Sequence, residues 1–95
     1  MLYQISVTEE HIDLGIRNYR EHKRWCASCP VAEAMKDAGI KNPEVGAFVV
    51  VCDTDGPRIA GNLPKAAHDF VVQFDKFLEK RADRPLPVEF AVEVG

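Results

Sequence analysis

Apolar and polar residues alternate at the start of the chain, with Tyr3, Ile5 and Val7 separated by Gln4 and Ser6. That is the period of a strand with one buried face. Thr8 offers a hydroxyl cap ahead of Glu9 and Glu10, so a helix is expected to start there. Ile12 and Ile16 lie four apart on one face of it, but Gly15 weakens a helix interior, and the helix is expected to end between Gly15 and Tyr19. The polar stretch from Arg17 to Trp25 reads as an exposed loop or a frayed helical extension. A second helix is sharply bracketed. Ser28 or Cys29 caps it, Pro30 takes the first position, where a missing N–H costs nothing, and Gly39 closes it after Val31, Ala34, Met35 and Ala38.

After a loop at Lys41-Asn42-Pro43, the β-branched run from Ala47 to Cys52 and the short stretch Arg58-Ile59-Ala60 flank the turn residues Asp53-Thr54-Asp55-Gly56, the pattern of a hairpin. From Pro64 onward, Ala67, Phe70, Val71, Phe74, Phe77 and Leu78 recur at spacings of three and four, which builds one apolar stripe on a helix of about four turns. Pro85 and Pro87 forbid its continuation, and Val88, Phe90, Val92 and Val94 then alternate with polar or small residues as a closing strand. The expected order is β-α-α-β-β-α-β, an α+β fold with a small, mostly antiparallel four-stranded sheet and helices on one face. The phenylalanine stripe would cover that face.

Length limits this to one core: 95 residues make a single domain spanning 1–95. A composition 46% hydrophobic and 28% charged lies outside the profile of disorder, so the chain is expected to fold unaided. No window approaches the ~20 apolar residues of a membrane span, and the opening carries no basic n-region. A cytoplasmic protein is therefore expected, with no membrane contact and with its three cysteines reduced. The net charge of -3 disfavours nucleic acid as a partner, since phosphate binding is driven by cationic surface. An acidic protein is instead steered toward basic surfaces, including a nucleic-acid channel of another protein.

Candidate chemistry is sparse. Cys26-Ala27-Ser28-Cys29 places two thiols at a spacing that grips zinc or shuttles a disulfide, yet zinc needs two further ligands and no second pair accompanies the first. Cys29 at a helix N-terminus would have its thiolate favoured by the dipole, but a redox motif should follow a buried strand rather than a basic loop. His11, His22 and His68 stand at no spacing typical of a nucleophile site, and no phosphate-binding glycine loop or calcium loop forms. No catalytic residue, metal site or cofactor is assigned. Two surfaces remain. Asp53, Asp55, Glu89 and Glu93, with Asp75 and Glu79, offer an acidic face for a protein partner. Arg20, Lys23, Arg24 and Trp25, with Arg17, offer an alternative basic face for nucleic acid, the indole stacking on a base, but one aromatic and four cations in an acidic protein favour instead a solvated loop with Trp25 folded onto the core.

The opening Ile5-Ser6-Val7-Thr8-Glu9-Glu10-His11-Ile12, the run Cys29-Pro30-Val31-Ala32-Glu33-Ala34-Met35 and the helix with Phe74-Asp75 resemble small uncharacterised proteins of phages and bacterial mobile elements. So do Leu63-Pro64 and the closing Pro87-Val88-Glu89-Phe90, while the segment between Arg17 and Ser28 is longer and more basic than that group's. The group contributes no catalytic residues. What the resemblance implies is a setting in the bacterial host cell and a non-enzymatic role of the anti-CRISPR kind, in which a small acidic protein binds a CRISPR effector subunit and blocks its nucleic-acid site.

Overall fold

The structure is a computed structural model that describes residues 1–95. The opening alternation forms strand β1 (Leu2–Val7), which pairs antiparallel with the closing strand β5 (Val88–Glu93), Leu2 opposite Glu93 and Val7 opposite Val88. Ile5, Val7, Phe90 and Val92 point inward and are buried, while Leu2, Gln4, Ser6, Glu89, Ala91 and Glu93 point outward. A lone two-stranded ribbon is marginal in water. Its inner face is stabilised here by the helices packed against it.

The second sheet has three antiparallel strands in the order β2 (Lys41–Val45), β3 (Val49–Asp53) and β4 (Ile59–Asn62). The fold is thus α+β as expected, but the single four-stranded sheet is replaced by two antiparallel sheets of two and three strands. The added strand is β2, built partly from the Lys41-Asn42-Pro43 segment expected to be a loop. Proline is tolerated there because β2 is an edge strand, where a missing N–H breaks no ladder bond on the open side. The register shifts between Lys41 and Glu44, and Asn42 has φ 46°, a conformation asparagine adopts more readily than most residues. The two sheets abut where β4 meets the end of β5. The Gly95 N–H donates to the Ala60 carbonyl at 3.3 Å, and Gly61 lies so close to the Glu93 carbonyl that a Cβ would overlap it.

Helix α1 (Glu9–Arg20) runs past Gly15 to Arg20, further than its sequence suggests. The reason is tertiary. A Cβ on Gly15 would stand 2.5 Å from the Cγ and Cδ of Pro30, so the glycine that weakens the helix also permits the close crossing of α1 with α2 (Pro30–Asp37). Burial gained at that crossing outweighs a propensity penalty of about 1 kcal/mol. Helix α2 begins and ends as its punctuation predicts: the Cys29 sulfur accepts the Ala32 N–H at 3.5 Å, and Gly39 adopts φ 98°. Helix α3 (Lys65–Leu78) carries the apolar stripe, with Ala67, Phe70 and Phe74 buried. The three helices and both sheets share one core, whose largest fully buried side chains include Phe74, Ile5, Ile12 and Met35. No helix is long and apolar enough to cross a membrane.

Candidate functional site

Cys26 lies within a 3₁₀ turn at Trp25–Ala27, and Cys29 stands two residues beyond it at the start of α2. Cys26 is partly exposed, its thiol 3.9 Å from Glu44 Oε1, whereas Cys29 and Cys52 are buried. No group of three or more His, Cys, Asp or Glu side chains is arranged to hold a metal ion. Burial pushes the Cys29 thiol from 9.0 up to about 11, against the opposing pull of the Ala32 and Val31 N–H groups. Desolvation therefore outweighs the helix N-terminus, and the thiolate that redox chemistry requires is disfavoured at neutral pH. Because the folded state holds this thiol protonated, its contribution to stability is complete below about pH 9 and is lost as pH rises through about 11. The native protein should accordingly lose stability relative to a Cys29→Ser variant between those values, as read by urea unfolding. A difference independent of pH would contradict this assignment.

The four acids divide between two places. Glu89 and Glu93 lie on the outer face of the β1–β5 ribbon, Glu89 accepting a hydrogen bond from Ser6 Oγ at 3.3 Å and Glu93 held by the Met1 amino group at 3.3 Å. Asp53 and Asp55 sit at the end of β3 and in the turn toward β4. Asp53 binds Arg58 Nε at 3.0 Å and the Asn42 amide at 2.9 Å, while Asp55 faces Lys41 Nζ at 3.5 Å. Both aspartates line a cleft of about 360 Å³ that also includes Met1, Tyr3 and Lys41. Met1 links this cleft to Glu93, so three of the acids border neighbouring surface and Glu89 extends it along the ribbon. Only Glu89 among the four lacks a cationic partner.

The basic segment is not one open patch. Arg24 pairs with Glu44, and Lys23 with Glu21 at 3.4 Å. The Trp25 ring stacks on Phe74, centroids 5.6 Å apart at 12°, meets the edge of Tyr19 at 5.6 Å, and donates its Nε1–H to Asp75 at 3.3 Å. It is turned into the fold. Of its four cations Arg17 and Arg20 stay free of any carboxylate, and Arg20 shares a groove with Tyr19 and Lys80, which is also unpaired.

One arrangement was not singled out from the sequence. His11 Nδ1 lies 3.0 Å from both the Thr8 N–H and the Thr8 hydroxyl, and its Nε2 lies 2.6 Å from Asp37 Oδ2. The hydroxyl–imidazole–carboxylate order is that of a hydrolase triad. Its hydrogen bonding argues otherwise: Nδ1 accepts from the Thr8 backbone N–H, which fixes the proton on Nε2 and leaves no lone pair to activate the hydroxyl. The unit instead caps α1 and ties its start to the end of α2. The Thr8-x-x-His11 spacing is a variant of the capping box and was the available signal. No family model matches this chain, nor does any curated protein or solved structure.

Proposed function

We propose that this protein acts by binding rather than by catalysis, as a stoichiometric inhibitor of a bacterial defence complex, with a CRISPR effector subunit as its target. The observation that carries the reading is the outer face of the β1–β5 ribbon, which no helix covers and which sets Glu93 directly across from Leu2, a leucine 70% exposed, and Glu89 across from Ser6 further along the same face. An exposed apolar side chain with one acid beside it and a second along the same face suits a basic protein surface, such as one that normally receives nucleic acid. Size sets a further condition. Two six-residue strands offer a footprint of only about 200 Å², whereas a stable complex buries about 800 Å² per partner. The cleft bordered by Asp53 and Asp55 must therefore join the contact.

Expression of the protein in bacteria carrying active CRISPR systems should restore phage plaquing in at least one of them, and the Glu89→Lys/Glu93→Lys variant should not restore it. Failure across all effector types would end this reading.

A second reading has its own observation. Arg20 and Lys80 are unpaired cations in one groove beside Tyr19, which is 50% exposed, so a nucleic-acid module would use this groove rather than Lys23, Arg24 and Trp25. Gel shifts at low salt test it, because phosphate-driven binding must weaken steeply as salt rises.

A further inference from the structure

A separate cavity of about 180 Å³ opens between the 3₁₀ turn, the start of α2, the β2–β3 turn and α3. Its walls are apolar, formed chiefly by Val31, Val45, Phe70, Phe74 and the Trp25 ring, and Asp75 is its only charged lining residue. The Asp75 carboxylate accepts one hydrogen bond, from Trp25 Nε1, and no cation stands within ion-pairing distance of it. The Asp75 residue is exposed to solvent while also lining the cavity, so it is the one charged group there with which a positively charged ligand could pair.

We propose that this cavity is a binding site for a small arylalkyl amine, its ring seated among Trp25, Phe70 and Phe74 and its ammonium donating to Asp75. Volume fixes the size class. An engineered protein cavity of about 150 Å³ holds benzene, so one six-membered ring fits here. Drug-sized or nucleotide ligands occupy roughly 300 Å³ or more and do not. Charge fixes the polarity. Partial desolvation, and secondarily Glu79 nearby, push the Asp75 carboxyl above its ordinary value, while the Trp25 hydrogen bond opposes them, and the charge of an ammonium beside it would offset both raising effects. An anionic ligand would aggravate them. The site is distinct from the acidic ribbon and stands independently of the inhibitor reading.

Trp25 is the only tryptophan, so its emission reports the cavity directly. The intact chain is titrated with 2-phenylethylamine, with 2-phenylethanol as the neutral analogue and 3-phenylpropionate as the anionic one. The amine should bind about threefold more tightly than the alcohol, a preference held down by solvent at the exposed carboxylate, and the acid should bind least. Asp75→Asn keeps an acceptor for the Trp25 N–H but removes the charge. It should erase the preference for the amine while retaining binding of the alcohol.

Amide NMR shifts on adding the amine should centre on Cys29, Val31, Ala47 and Phe70. Equal binding of amine and alcohol to the unaltered protein would overturn the proposal, as would an undiminished preference in Asp75→Asn. So would shifts centred on Glu89 and Glu93, or no response up to about 10 mM, well beyond the millimolar affinity of a weak fragment.

Discussion

Phe74→Ala should remove about 4 kcal/mol of stability, within the range of 3 to 5 kcal/mol for truncating a buried aromatic ring. Phe74 is 1% exposed and anchors a set of aromatic contacts: Trp25 stacked at 5.6 Å, Phe70 at 6.1 Å and Phe77 at 6.0 Å. It joins α3 to the 3₁₀ turn, so its loss would leave a hole and free Trp25 together. A domain of this size commonly has about 5 to 15 kcal/mol in total, and each kcal/mol lowers the melting temperature by about 4 to 8 °C. The melting temperature should thus fall by about 20 °C, with Trp25 emission shifting to the red in the folded variant. Phe74→Leu, which keeps an apolar side chain at the site, should cost less. A change under about 1 kcal/mol for the alanine variant would mean that the stripe of α3 is not the centre of this core.

Gly61→Ala is the second large effect, and it arises from backbone rather than side-chain packing. The new methyl would overlap the Glu93 carbonyl oxygen and stand 2.8 Å from Val94 Cγ1. A carbonyl within the β5 end cannot swing aside as a flexible side chain would, so β4 must separate from β5. Overpacking of this kind costs about 1 to 3 kcal/mol, and the immobile neighbour places this substitution at the upper end. Hydrogen exchange of Val94 and Gly95, whose N–H groups bond to the Met1 and Ala60 carbonyls, should quicken in the variant. Unchanged stability and unchanged exchange would show that the sheets do not rely on close approach at Gly61.

These two residues also mark what a sequence makes legible. Phe74 was recognisable because helical periodicity is local: its neighbours at three and four positions are apolar too. The limits of α2 were legible for the same reason, since Pro30 and Gly39 act through their own backbone geometry. Gly61 carried no local signal, because its requirement is imposed by Glu93, which is 32 positions away (93 − 61). Gly15 misled, since its cost to the helix is local and its compensation at Pro30 is not. β2 was obscured by Pro43, which weighs against a strand unless the strand is known to lie at an edge.

The candidate site follows the same division. Acidic and basic residues were identifiable by type, and the outward direction of Glu89 and Glu93 followed from strand alternation. Their partners were not identifiable. The pairing of Arg58 with Asp53, of Arg24 with Glu44 and of Trp25 with Asp75 depends on chain segments brought together by the fold. Those partners matter most at Trp25, for which the sequence favours a place folded onto the core over base stacking, and whose ring stacks on Phe74 and meets Tyr19 at a steep angle.

Binding through the acidic ribbon is tested most directly by affinity capture of the tagged protein from lysates containing assembled CRISPR effectors, run beside the Glu89→Lys/Glu93→Lys variant and a control in which Arg20 and Lys80 are changed to glutamate. An inhibitor that binds through the ribbon should retain an effector subunit in its native form and in the Arg20/Lys80 variant, and lose it in the Glu89/Glu93 variant. Equal retention by all three, no effector subunit with any of them, or capture that depends on Arg20 and Lys80 would contradict it.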